Sequence, residues 1–166
     1  MKIAIISDTH DNFPNFKKAI DWIKKNDIKT IIHCGDICTL SVLKDSIRDF
    51  SGKIYLCLGN VDVDHFQVKG KEKLFNKAIF FNKRGEIKKG KKKIAFTHFP
   101  KIAKELALTG NYDIVFHGHT HKPWIEKVNN VKIVNPGNLA GLMYKATFAV
   151  YDTKNNSLEL KILEKI

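Results

Sequence analysis

The chain has 166 residues, enough for one domain spanning 1–166 with a sizeable core. Its 43% hydrophobic and 28% charged residues are ordinary for a soluble globular protein, and no apolar run reaches the roughly 18 residues that span a bilayer. A net charge of +12, almost wholly lysine, is compatible with a phosphate-containing substrate.

"KIAIIS" (2–7) reads as a buried strand, and its four-residue apolar run, Ile3 to Ile6, is too short for a secretory leader. A cytoplasmic protein without membrane association is expected. Helix periodicity follows over 13–26, with Phe13, Phe16, Ala19, Ile20 and Ile23 on one face. "TIIHC" (30–34) is a second strand and 39–50 a second helix, its stripe formed by Leu40, Leu43, Ile47 and Phe50. "KIYLCL" (53–58) is a third strand. Strands alternating with helices in this way predict a parallel sheet with helical crossovers.

The middle of the chain is less regular. "AIFF" (78–81) and "EIKK" (86–89) suggest a hairpin, and "KKIAFTH" (92–98) is a clearer strand. A short helix over 101–108 ends near Gly110, and "DIVFH" (113–117) returns to strand. The remainder is strand-rich, with one hairpin turning at Asn129–Asn130 and another pairing 144–152 with 157–163. Two packed sheets with helices outside accommodate this pattern. Cys34, Cys38 and Cys57 are odd in number and lack C-x-x-C spacing, and Cys34 and Cys57 read as small buried hydrophobes.

Five apolar runs each end in residues able to bind metal. "KIAIIS" is followed by Asp8 and His10, "TIIHC" by Asp36, and "KIYLCL" by Asn60. "KKIAFT" is followed by His98, and "DIVFH" by His119 and His121. Open α/β sheets place their sites at such strand ends, and the glycines before Asp36, Asn60 and His119 allow sharp turns there. A lone Asp or His at a strand end is more often a turn former or a structural residue. Five together, on neighbouring elements, point to metal. Four imidazoles, two carboxylates and an amide oxygen exceed what one small ion needs. The set suits Mn²⁺, Fe²⁺, Ni²⁺, Zn²⁺ or Mg²⁺, and two such ions can clamp an in-line displacement.

The ordered set D-x-H, G-D, G-N, H and G-H-x-H resembles the calcineurin-like metallophosphoesterase superfamily, over almost the whole chain from Asp8 to "NPGN" (135–138). The small size is most similar to its compact prokaryotic and archaeal phosphodiesterase branch, itself similar to the retromer scaffold subunit. The resemblance implies an α/β fold, a four-layer αββα sandwich of two mixed sheets. It implies two divalent ions per chain, Mn²⁺ foremost, one held by Asp8, His10 and His121 and the other by Asn60, His98 and His119. Asp36 would bridge them, and Asp36 and Asn60 would serve catalysis, with a bridging hydroxide attacking phosphorus and breaking a P–O bond of a small phosphodiester. His117 and His33 fall outside the set and read as structural.

Many relatives carry G-N-H-[DE], in which the histidine protonates the leaving group. Here the stretch is "GNVD", and Val61 has no proton to give. Diesters with good leaving groups are therefore the expected substrates, and His65, four residues on, reads as a surface histidine more than a substitute acid. Two other readings of the sequence stand beside this one. One is a metal-binding scaffold without turnover, which the intact D-x-H argues against. The other is a nuclease using the basic stretch Lys69–Lys93, where eleven of 25 residues are Lys or Arg. Nucleic acid is the less favoured partner, because that stretch lacks arginine forks and interleaved aromatics. The oligomeric state is not readable.

Overall fold

Alternation within each strand decides the layering in the computed structural model, which describes residues 1–62 and 76–166. In β1 (Lys2–Ile6), Ala4 and Ile6 face one side and Ile3 and Ile5 the other, and all four are buried. The same two-sided burial holds for β2 (Thr30–His33), while β3 (Lys53–Cys57) buries Ile54 and Leu56 on one side and Cys57 on the other. Strands covered on both faces are the expected product of helical crossovers. These three pair in parallel, and β4 (Ala78–Phe81) adds a further parallel strand beside β3. At the other edge β10 (Thr147–Asp152) pairs antiparallel with β1, and β11 (Ser157–Ile162) with β10. The sheet order is β11-β10-β1-β2-β3-β4.

The second sheet runs β5-β6-β7-β9-β8, built from β5 (Arg84–Lys89), β6 (Lys92–Thr97), β7 (Ile114–Phe116), β8 (Trp124–Val128) and β9 (Val131–Asn135). Between the sheets, Ile3, Ile5 and Ile32 of the first meet Ile94, Phe96, Ile114 and Phe116 of the second. Outside the first sheet lie α1 (Phe13–Lys25) and α2 (Leu40–Ser46), packed through Phe16, Ile20, Ile23 and Leu43. Outside the second lies α3 (Pro100–Leu108), whose Ala103, Leu106 and Ala107 cover Ala95, Val115 and Ile133. The result is the αββα order, with both sheets mixed. No helix among the described residues is long and apolar enough to cross a membrane.

Three local expectations change. The stretches 78–81 and 86–89 do not pair with each other: β4 joins the first sheet and β5 the second, where β5 pairs antiparallel with β6. The short link at Asn82–Lys83 carries the chain between sheets, and the true hairpin turns at Gly90, whose φ of +61° favours glycine. The second helix stops at Ser46 rather than near Phe50. Turns follow, with Ile47 N–H donating to Leu43 O and Phe50 N–H to Ile47 O, and both side chains still reach the core. Phe13 is 40% exposed, because it begins α1 ahead of the stripe that starts at Phe16.

Candidate metal centre

Each strand that releases a candidate ligand does so at its C-terminal end, and hydrogen bonds between the loops draw these ends together. Asp8 N–H donates to Gly35 O at 2.9 Å and His10 N–H to Asp36 O at 3.1 Å, so the loops after β1 and β2 run side by side. In the second sheet Gly118 N–H donates to His98 O at 3.1 Å, joining the loops after β6 and β7. His119 N–H reaches across the sheets to both carboxylate oxygens of Asp8, at 3.2 Å each, and orients that group.

Close approach explains the glycines of the motifs. A Cβ at Gly59 would lie 2.0 Å from Asp36 Oδ1, and one at Gly118 would lie 2.0 Å from Ser7 Oγ and 2.6 Å from Asp8 Oδ2. Any side chain there would occupy the space of the carboxylates. The backbone is also held in an unusual state. Asp8, His10, Asp36, His119 and His121 all have φ between +42° and +73°. Left-handed backbone is tolerated better by Asp and His than by most residues, yet costs about 1–2 kcal/mol at each position. The surrounding bonds maintain it, and such clusters accompany functional sites.

All seven predicted residues converge, with donor atoms gathered in two groups, about His10 and about His98, and Asp36 Oδ2 near both. In the first group His10 Nε2 and His121 Nε2 are 3.2 Å apart, and Asp8 Oδ1 lies 3.4 Å from His121 Nε2. In the second group His98 Nε2 lies 3.0 Å from Asn60 Oδ1 and 3.1 Å from His119 Nδ1, which is itself 3.0 Å from Asn60 Oδ1. Asp36 Oδ2 stands between the groups, 3.7 Å from His10 Nε2 and 3.4 Å from His98 Nε2. Asp8, Asp36 and His98 are buried, whereas His10 and His121 are half-buried and accessible.

The chemistry of these atoms fits a cation. His98 Nδ1 faces the carbonyl of Cys34 at 2.9 Å, which only accepts, so the ring proton of neutral His98 sits on Nδ1. Its Nε2 then offers a lone pair to Asn60 Oδ1 and Asp36 Oδ2, which also offer only lone pairs. A shared positive charge resolves that convergence. The electrostatics agree: burial opposes charge on His98, but the Asp36 and Asp8 carboxylates outweigh burial and raise its pKa. Burial raises the pKa of Asp8, against the opposing effect of His98. At Asp36 burial pushes upward, yet the His98 ring, the Val61 amide and His10 bring the pKa below its ordinary value. Imidazole nitrogens with carboxylate and amide oxygens suit borderline or hard divalent ions. Cys38 Sγ, 3.8 Å from His10 Nδ1, stays a thiol, its pKa pushed up to about 11 by burial and by Asp11, Asp62 and Asp36.

His117 and His33 stand apart from the cluster. His117 is buried, donates from Nδ1 to Gly118 O at 2.9 Å, and has its pKa lowered chiefly by burial. His33 is buried against Phe16, accepts from Gly35 N–H at Nδ1 and meets Thr9 Oγ1 through Nε2. His65 and the part of the basic stretch before Asn76 lie outside the described residues. Lys88, Lys89, Lys91, Lys92 and Lys93 lie about the turn from β5 to β6, at the opposite end of β6 from His98.

Three residues that secure the site are absent from the ligand pattern. Asn135 donates to Gly118 O and to Thr120 Oγ1, both at 3.0 Å, and Asn138 donates to His121 O at 3.1 Å. Together they fasten the G-H-x-H loop, which gives the "NPGN" stretch its local purpose. The third is Asp62, which accepts backbone N–H groups of both the Asp36 and the Asn60 loops.

Sheet order, layering and the clustered strand ends define an α/β fold of the metallophosphoesterase type, and comparison with known proteins agrees. The description of the calcineurin-like phosphoesterase superfamily domain matches residues 1–156, and the chain belongs to that superfamily. A phosphodiesterase of Methanocaldococcus jannaschii is 33% identical over 167 residues, covering 99% of this chain and 100% of that one. The solved structure of a novel archaeal phosphodiesterase superposes with a TM-score of 0.88 at 31% identity, covering 98% of this chain and 99% of the other. The fold alone is shared with Vps29 of Entamoeba histolytica solved with zinc, at a TM-score of 0.66 and 18% identity over 97% of each chain.

Proposed function

We propose that this chain is a metal-dependent phosphodiesterase holding two divalent cations, one at Asp8, His10 and His121 and one at Asn60, His98 and His119, with Asp36 shared. The observation that carries the reading is the place of Asp36 Oδ2, within 3.7 Å of a histidine of each group. Two cations there, Mn²⁺ foremost, would supply Lewis-acid charge, setting four positive charges against two carboxylates, drawing in an anionic ester and acidifying water.

The chain's own residues prepare that chemistry. The carbonyl of Cys34 holds the His98 ring with Nε2 toward the site. The His119 amide fixes the Asp8 carboxylate, and the Val61 amide fixes Asp36 Oδ1 at 3.2 Å, leaving Oδ2 for the shared position. Asn60 contributes a neutral oxygen, which spares the site a third negative charge next to a phosphate. Since Val61 gives no proton, acid help worth about 10²–10⁴-fold is missing from this position, and diesters with good leaving groups are favoured. The full-length similarity to an archaeal phosphodiesterase supports a diester substrate. The lysines about the β5–β6 turn have no part in this reading, because they stand at the far end of β6.

The experiment is hydrolysis of a bis-aryl phosphodiester and of the matching aryl monoester by metal-stripped protein, before and after adding Mn²⁺. The reading expects restored cleavage that favours the diester. Metal binding without turnover, with Mn²⁺ and the other divalent ions alike, would replace it with a scaffold.

A further inference from the structure

Asp62 closes the "GNVD" stretch, is fully buried, and makes no hydrogen bond to the side chain of any of the seven candidate ligands. Its carboxylate is instead filled by backbone. Oδ2 accepts from Asp36 N–H at 2.7 Å and Gly59 N–H at 2.8 Å, and Oδ1 accepts from Ile37 N–H at 2.8 Å and Cys38 N–H at 2.9 Å. Four donors on one carboxylate use about its whole accepting capacity, and only an acceptor-only group serves all four. Asp36 and Cys38 have φ of +58° and +81°, so the loop so held is one that the backbone alone would not choose.

We infer that Asp62 is a positioning residue which sets the distance between Asp36 and Asn60. The Asp36 loop follows β2 and the Asn60 loop follows β3, and Asp62 bonds to the amides of both. Displacing either loop would move the shared carboxylate relative to the second group of ligands. The inference rests on the metal-centre reading and adds to it the residue that gives the two groups their spacing. It also assigns a purpose to the acidic residue of the motif, distinct from the missing histidine before it.

The test is Mn²⁺ titration calorimetry on metal-stripped wild type, Asp62→Asn and Ile23→Val, together with diester kinetics and thermal melting. Asparagine keeps the size of the side chain but turns its NH₂ toward two of the four amide donors. Asp62→Asn is expected to bind at least one ion about 10–100-fold more weakly and to lose kcat by a similar factor, with KM nearly unchanged. Ile23→Val, a core loss in the last turns of α1, is expected to lower Tm while keeping metal affinity. Wild-type affinity and kcat in Asp62→Asn would overturn the inference while leaving the metal centre in place. Equal loss of affinity in Ile23→Val would overturn it too, since affinity would then follow stability. Absence of Mn²⁺ binding to the wild type would remove the metal centre and the inference with it. Should Asp62→Asn not fold, Asp62→Ser, with room for a water to receive the amides, replaces it under the same readouts.

Discussion

His98 Nε2 stands 3.4 Å from Asp36 Oδ2, although one residue follows a strand of the second sheet and the other a strand of the first. The contact spans the seam of the sandwich, so the two sheets are registered at the site as well as through their core. Asp36→Asn replaces one carboxylate oxygen with an amide nitrogen while keeping the shape. If Asp36 serves both ligand groups, turnover should fall by about 10³-fold, equivalent to ~4 kcal/mol of transition-state stabilisation, with the fold retained. Diester kinetics beside a circular dichroism melt would check this. A folded variant with near-normal turnover would take Asp36 out of the shared position.

The triplet His117, His119 and His121 permits a sharper comparison. His119 Nδ1 lies within 3.1 Å of His98 Nε2 and Asn60 Oδ1, whereas the His117 ring donates to Gly118 O. That carbonyl also accepts from Asn135 Nδ2 at 3.0 Å, so removing His117 does not leave it unsatisfied. His119→Ala should cost at least about 10²-fold in kcat/KM, and His117→Ala no more than about tenfold. Equal losses in parallel assays would mean that the alternation along this stretch has been misassigned.

The strand-end ligands could be read from sequence because each follows closely on an apolar run, and Asp36, Asn60 and His119 have a glycine directly before them. Their convergence required that parallel strands end together within each sheet and that the two sheets be stacked with those ends in register. Other features have no local mark. An apolar run such as 78–81 states that it is a strand but not which sheet it joins, and here a short link separates β4 from β5 across the two sheets. Asp62 likewise fills the acidic place of a recognisable stretch, but its role has no local mark, since the amides it accepts belong largely to residues 36–38. Asn135 and Asn138 gave a recognisable stretch, but their bonds to Gly118, Thr120 and His121 emerge only when β7 and β9 pair.

Acid should destabilise the metal-stripped protein in part through His33. Burial, aided by repulsion from His98, lowers its pKa from 6.5 to about 3 despite the opposing Asp36 carboxylate. The folded protein therefore keeps His33 neutral where the unfolded chain takes up a proton, so stability falls as pH drops from 6.5 towards 3. The full loss, reached below the folded pKa, is on the order of 5 kcal/mol. In urea titrations across this window, His33→Gln should show a shallower decline than wild type. Parallel declines would assign the acid sensitivity to other groups.

The Val61 amide secures Asp36 Oδ1 at 3.2 Å, while its half-buried side chain brings no proton to the site. Val61→His leaves the amide in place, so the ligand loops should keep their geometry, and it adds an imidazole one residue from Asn60. A leaving group that departs readily as its anion gains little from a nearby acid, whereas an alkoxide gains much. Aryl diester turnover should therefore change by less than about threefold, while alkyl diester turnover should rise by tenfold or more, within the ~10²–10⁴-fold that acid catalysis supplies. The ratio of the two rates is the measurement, because a general loss of metal or stability lowers both together. The alkyl rate should also decline above the pKa of the new imidazole, where its proton is lost. An unchanged ratio would show that the site releases its leaving group without need of an acid at this position.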